Sequence, residues 1–222
     1  MVSGVTGSGR DPADAQVLEA QIRSLYQQIP MVLAVNLVNA ALVAGVLGSF
    51  LGDMRWWLFF GLIAILTAAR GVLWHKYRTR RSDASDTRRW AVLAPVASGI
   101  SGVIWGAGSA WLFPDEIFAQ TFLSFVIGGM CAGALASLSY HLPAFIAYVV
   151  PATLPLALRL LIEGGVVHAA MATMVVVFVI ALSVAAYNVA RSLERATKLQ
   201  LELSRRTTDL GVANARLEAE IC

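Results

Sequence analysis

Six long apolar stretches constrain the fold of this chain more than any motif does. They cover residues 30–51, 56–74, 90–113, 121–139, 142–162 and 166–188. A helix of about 20 predominantly apolar residues crosses a bilayer core about 30 Å thick. Because 58% of the residues are hydrophobic and only 14% are charged, the composition excludes a soluble domain of this size. The sequence therefore predicts an all-α, polytopic membrane protein whose residues 30–188 form a six-helix transmembrane bundle.

The loop between the second and third spans sets the expected orientation. It carries a dense cluster of basic residues, namely Lys76, Arg78, Arg80, Arg81, Arg88 and Arg89. Lys and Arg in short loops stay on the cytoplasmic side of the membrane. We therefore expect both termini to face the cytoplasm, with the chain in a bacterial inner membrane. The net charge of +3 then reflects the topology of the chain. Anionic lipid is the expected partner of the basic cluster, and no nucleic-acid partner is predicted.

Two segments precede the first span. Residues 1–10 are polar and rich in Gly and Ser, which predicts a disordered lead. Residues 11–29 place apolar side chains at helical spacing, at Leu18, Ile22, Leu25 and Ile29. This pattern predicts an amphipathic helix that lies on the inner leaflet until Pro30 turns the chain into the membrane. The alternative is an ordinary cytoplasmic extension of the first span.

Small residues recur every four positions on the third and fourth spans. They are Ser98, Gly102, Gly106 and Ala110 on the third span, and Gly129, Gly133 and Ser137 on the fourth. Lipid gives helices no hydrophobic reason to associate, so close packing of small-residue faces becomes important. The pattern predicts that these two spans form either the centre of the bundle or a dimer seam.

Three polar or aromatic side chains within the spans are candidates for ligand binding. Asn36 and Asn39 share a face of the first span, and Trp105 is the one tryptophan deep inside a span. Hydrogen bonding between helices explains the two asparagines equally well, and core packing is the alternative for Trp105.

Charged residues are scarce inside the spans. Arg70 and Arg159 lie near span ends, so we expect both to extend towards the head groups. No Asp or Glu falls well inside an apolar stretch. A proton-coupled transporter would need such carboxylates, which makes that class of protein less favoured.

Metal and redox sites have little support in the sequence. His168, Met171 and Met174 follow one another at three-residue steps, and soft sulfur ligands suit Cu(I). Methionine is also a common packing residue, and no other cofactor is evident. Cys131 lies inside a span and Cys222 ends the chain, so no structural disulfide is expected between them. No motif of a catalytic site occurs, and none of the 222 residues is assigned a catalytic role.

Residues 189–222 form a charged tail with a seven-residue repeat. Its proposed core positions include Leu193, Leu203, Leu210, Asn214 and Leu217. The repeat has two alternating core positions, and one of them is polar in three layers, at Gln200, Thr207 and Asn214. Polar core layers weaken a coiled coil but specify its register. The tail therefore predicts a marginal, parallel coiled-coil homodimer that is continuous with the sixth span. A solvated single helix is the alternative.

Several segments resemble a known class of proteins. The segments are WGAGSAWLFPDE at 105–116, FVIGGMCAGALASLS at 125–139, HLPAFIAYVVPATLPLALRLL at 141–161 and ANARLEAEI at 213–221. They resemble the six-span membrane sensor region of bacterial hybrid histidine kinases and of GGDEF/EAL cyclic-di-GMP enzymes. The resemblance implies a dimeric input module whose cytoplasmic output domain is absent from these residues. The alternatives are a small transporter or channel and a structural scaffold.

Overall fold

The computed structural model describes residues 12–52, 54–79 and 84–221, without the side chains of 12–17, 50–51, 84–88, 201, 205, 209 and 212–221. All regular structure in these ranges is helical, which confirms the all-α prediction. The helices are α1 (Pro12–Leu51), α2 (Arg55–Arg78), α3 (Ala84–Trp111), α4 (Ile117–Leu138), α5 (Leu142–Glu163) and α6 (Gly165–Ile221). Within the described ranges, six helices are long and apolar enough to cross a membrane, consistent with a multi-pass membrane protein. The lead at 1–10 and Cys222 lie outside the described residues.

The first helix differs from the expectation of two separate segments. α1 continues through Pro30 without a break, whereas the sequence predicts an interfacial helix over 11–29 that ends there. Ile22 and Tyr26 in its first half are 0% and 2% exposed. A proline removes only one backbone donor from a helix, and packing against neighbouring helices compensates for this loss. The first half of α1 therefore belongs to the bundle and does not lie free on a surface.

An aromatic cluster holds that first half in place. The rings of Tyr26 and Tyr77 stack with their centroids 3.9 Å apart. Trp90 meets both rings edge-on, at 5.4 Å from Tyr26 and 5.2 Å from Tyr77. The three side chains come from α1, α2 and α3 and join these helices at the end of the bundle nearest the α2–α3 loop.

The most extensive helix pair in the bundle is α3 with α5. A Cβ atom added at Gly106 would overlap the Pro151 carbonyl oxygen, and one at Gly102 would overlap the Tyr148 carbonyl oxygen. Ser98 on the same face is buried, and Ala110 is half-buried. The small residues of α3 therefore allow close packing of two backbones, and the helix that approaches them is α5.

The small-residue face of α4 has a different environment. Gly129 and Gly133 are exposed, and a Cβ at either position would meet no atom within 4 Å. Ser137 is buried and donates a hydrogen bond to the Gly133 carbonyl oxygen over 3.2 Å. This face borders a cavity and is not covered by another helix of the described chain.

The last helix extends far beyond the bundle. α5 ends at Glu163 and α6 begins at Gly165, with positive φ values of 79° at Gly164 and 82° at Gly165. This tight reversal requires glycine, because other residues rarely adopt that conformation. α6 has 57 residues, which corresponds to about 85 Å at 1.5 Å per residue.

Two parts of α6 differ in burial. Ala172, Leu182 and Ala186 are buried in the bundle, where α6 packs mainly on α5. Further along, Leu203 and Leu210 are 65% and 68% exposed, and Leu193 is half-buried. The side chains of Asn214 and Leu217 lie outside the described set. In the single chain, Leu203 and Leu210 therefore form an exposed apolar surface on α6.

Candidate functional site

A cavity of about 220 Å³ lies between α1 and α4 and reaches α2, α3 and α5. Most of its wall is apolar, including Met31, Val32, Val35, Met130, Ala134 and Leu138. Polar side chains line it on five helices, at Gln28, Asn36, Arg70, Ser101, Ser137 and Tyr148. A mainly apolar cavity with a few convergent polar groups is the usual form of a small-molecule site.

Arg70 is the charged group of this cavity. Its Nη1 atom donates a hydrogen bond to Ser101 Oγ over 2.9 Å. No carboxylate of the described chain forms an ion pair with it, whereas Arg159 is paired with Glu163 at 2.9 Å. The position of Arg70 near a span end predicts that its side chain extends towards the head groups. It points into the bundle instead, because Ser101 of α3 offers an acceptor there.

Asn36 connects three helices at the wall of the cavity. Its side-chain oxygen accepts a hydrogen bond from Trp105 Nε1 over 2.8 Å, and its Nδ2 donates to Thr67 Oγ1 over 3.0 Å. Trp105 is 1% exposed, and its ring meets Phe59 edge-on at 5.3 Å. Asn36 and Trp105 are therefore brought together, but Trp105 lies behind the cavity wall and positions Asn36.

Asn39 is not part of this arrangement. It is half-buried, does not line the cavity, and forms no hydrogen bond with another described residue. Arg70, Ser101 and Tyr148, in contrast, line the cavity although the sequence analysis did not select them as ligands. The position of Arg70 within an apolar span was the available signal, since ionisable residues in such places often mark functional sites.

The proposed soft-metal residues have other contacts. His168 Nδ1 lies 2.7 Å from the Gly164 carbonyl oxygen, and its Nε2 lies 2.8 Å from Gln120 Oε1. Met171 packs against the core, whereas Met174 is 72% exposed. Both imidazole nitrogens thus face protein oxygen atoms, so copper binding would require the loss of one of these contacts. No group of three His, Cys, Asp or Glu side chains suited to a metal occurs in the described part of the chain.

Gln120 extends this hydrogen-bond network to the loop before α4. Its side chain is 1% exposed, and its Nε2 donates to the Pro114 carbonyl oxygen over 2.9 Å. Through His168 and Gln120 the beginning of α6 is therefore tied to the beginning of α4 and to the preceding loop.

A second, more open cavity of about 560 Å³ lies between the ends of α1 and α2 that project past the apolar spans. Its wall includes Glu19, Arg23 and Arg78 together with Trp74 and Tyr77. Two arginines and one glutamate line it, so an anion bound there would meet a carboxylate as well as the guanidinium groups. The cavity around Arg70 has the more selective chemistry.

Comparison of the chain with models of known protein families, with functionally characterised proteins and with solved structures finds no match. The side chains around the cavity and the course of α6 are the features of this chain that bear on its function.

Proposed function

We propose that this chain is the membrane input module of a bacterial signal-transduction receptor. In this proposal it spans the inner membrane six times, has both termini in the cytoplasm and forms a homodimer through its tail. The observation that carries the proposal is the continuity of α6, which runs from the bundle to the heptad leucines as one helix.

The exposed leucines of α6 support a dimer. Leu203 and Leu210 are seven residues apart and have no cover in the single chain. Burial of a leucine side chain stabilises a protein by about 1.5–3 kcal/mol. A second copy presents the same seam, and a parallel coiled coil would bury both sets of leucines at once.

The polar layers of the same seam support a role in transmission. Gln200, Thr207 and Asn214 alternate with the leucine layers. Such layers lower the stability of a coiled coil, so a small change in register or rotation costs little free energy. Because α6 packs on α5 and α4 inside the bundle, a rearrangement there would change the angle at which the tail leaves it.

The output would reside in a cytoplasmic domain that these residues do not include. The resemblance of the 105–161 and 213–221 segments points to a histidine kinase or to a cyclic-di-GMP cyclase or phosphodiesterase. In this proposal the chain carries no catalytic residue of its own and acts only by changing the state of the dimer.

Cysteine crosslinking of the full chain in lipid nanodiscs tests the proposal. With Cys131 and Cys222 changed to Ser, we expect Leu203→Cys and Leu210→Cys to form intermolecular disulfides readily under mild oxidation. Lys198→Cys is the matched control, because it lies on the opposite side of the heptad and should react much more slowly. Equal crosslinking at all three positions, or a monomer, would contradict the proposed dimer.

Flux measurements in proteoliposomes test the transporter alternative. We expect no substrate-dependent flux from the purified chain, since Trp105 and Phe59 fill the bundle next to the cavity. Saturable flux that Arg70→Gln abolishes would favour a transporter over an input module.

A further inference from the structure

We propose that the cavity around Arg70 binds the head group of a single-chain anionic amphiphile, such as a long-chain carboxylate, whose chain leaves between α1 and α4. The ligand's role as the stimulus of the receptor rests on the proposed function. Its binding does not, because the cavity is formed within one copy of the bundle.

The charge of the cavity is the first reason. A guanidinium carries five N–H donors, and Ser101 is the acceptor that the described chain supplies to Arg70. A charge inside a membrane span costs at least a few kcal/mol unless it is paired. A carboxylate fits this need, because it accepts two parallel hydrogen bonds from one guanidinium.

The neighbouring polar groups favour an anion as well. No Asp or Glu side chain of the described chain lines the cavity. Ser101 and Tyr148 place hydroxyl groups on the same wall as Arg70, and hydroxyls donate hydrogen bonds to anions. Asn36 is already engaged with Trp105 and Thr67. The available donors are therefore those of Arg70, the two hydroxyls and the Gln28 amide, because the Ser137 hydroxyl already donates to the Gly133 carbonyl oxygen.

The opening of the cavity is suited to an acyl chain. On α1, Met31 and Val35 are 68% and 46% exposed. On α4, Gly129 and Gly133 are exposed and have open space where a side chain would begin. The opening therefore has apolar side chains on its α1 side. On its α4 side, the two glycines leave free space for an acyl chain.

The size of the cavity limits the ligand. Pockets that enclose a drug-sized molecule usually measure about 300–1,000 Å³, whereas this one measures about 220 Å³. It holds a small head group and the first part of one chain, while the remainder lies in the opening. A lipid with two acyl chains would not be enclosed.

Photocrosslinking of the full chain tests the site directly. The protein is placed in nanodiscs of phosphatidylcholine and labelled with a dodecanoate that carries a diazirine at its chain end. We expect labelled peptides to come from α1 near Val35 and from α4 near Gly133. Unlabelled dodecanoate should compete, dodecanol should compete at least tenfold less well, and phosphatidylglycerol should not compete.

Two variants separate charge from shape. Arg70→Gln should weaken labelling at these sites at least tenfold, whereas Arg70→Lys should retain part of it. Arg159→Gln is the matched control, because that arginine is paired with Glu163 and does not line the cavity. Gly133→Leu should fill the opening and block labelling while Arg70 remains. This variant therefore tests whether the ligand occupies the opening even if Arg70→Gln does not fold.

Three results would contradict the proposed site. The first two are labelling spread evenly over all exposed helices and competition by dodecanol equal to that of dodecanoate. The third is equal competition by phosphatidylglycerol, which would assign the site to a bilayer lipid. Specific labelling with an unchanged disulfide pattern in α6 would leave the site intact and contradict its role as the stimulus. A monomeric tail would contradict the proposed receptor function without affecting the binding result.

Discussion

Trp105 on α3 donates its indole N–H to the side-chain oxygen of Asn36 on α1 over 2.8 Å. The same amide donates to Thr67 of α2, so one side chain connects three helices. Since Asn36 also lines the cavity, the bond fixes the rotation of α1 that directs this residue inward.

Replacement of Asn36 by Leu should destabilise the bundle by about 1 kcal/mol, because it removes two hydrogen bonds between helices and each contributes about 0.6 kcal/mol on average in a native membrane protein. Asn39→Leu is the matched control and should cost less. Unfolding in mixed micelles of increasing dodecyl sulfate content would measure both. In a double-mutant cycle, Asn36→Leu and Trp105→Phe together should cost less than the sum of the two single losses, because both remove the same hydrogen bond. Fully additive losses would show that the two side chains do not interact.

Gly106→Ala should disturb the packing of α3 on α5. The new Cβ would overlap the Pro151 carbonyl oxygen, and overpacking of this kind typically costs about 1–3 kcal/mol. Gly61→Ala on α2 is the control, since its Cβ would meet no atom within 4 Å. The same unfolding measurement distinguishes them, and an equal stability of the two variants would argue against the close α3–α5 contact.

Simultaneous replacement of Leu203 and Leu210 by Asn should abolish the proposed homodimer while the bundle remains folded. Leu199→Asn provides a comparison, because Leu199 is similarly exposed at 60% but lies beside the heptad seam. Its effect on the dimer should be smaller. Light scattering of the detergent-solubilised chain reports the mass, and an equal loss of the dimer in both cases would mean that general hydrophobicity, not the heptad, drives association.

Gln120→Leu should loosen the connection between α4 and α6. The change removes the partner of His168 Nε2 and leaves the Pro114 carbonyl oxygen without its 2.9 Å donor. Buried polar groups that lose a partner cost about 1–3 kcal/mol. Thr121→Val, on the exposed side of the same turn, should cost less. Hydrogen exchange at the start of α6 should increase in the first variant only.

Acidification should destabilise the fold through His141, in the turn between α4 and α5. Burial lowers the pKa of His141 below its ordinary value of 6.5, against the opposing effect of a hydrogen bond with the Ala91 backbone. The unfolded chain therefore takes up a proton first as the pH falls below 6.5, and stability declines until the pH passes the lowered pKa. His141→Gln should lose less stability than the unaltered chain between pH 8 and pH 5. Identical losses would exclude this contribution.

The existence of six helices was predictable, because length and hydropathy are local properties of each apolar stretch. The partner of α3 was not predictable, since a face of small residues such as Gly102 and Gly106 indicates a close approach but not which helix approaches. Pro30 suggested a boundary because its local effect is unfavourable, yet the burial of Ile22 and Tyr26 by other helices outweighs that effect.

The candidate site was predictable only in part. Asn36 and Trp105 were selected as unusual residues, although no pattern in the sequence indicates that they bond to each other across 69 positions. Arg70 was assigned to a span end because its distance from the loop is short. Its inward direction depends on Ser101, which only the packing of α2 and α3 brings within reach.

The short connection between α5 and α6 restricts how the last helix can move relative to the bundle. Gly164 is the single residue between the two helices, so α6 has no slack in which to slide and its free movement is a tilt. Beyond Ala186 about 50 Å of helix projects from the bundle, at about 1.5 Å per residue. Each degree of tilt therefore moves the far end by about 1 Å, so a small change in the angle of α6 becomes a much larger displacement at the end of the tail.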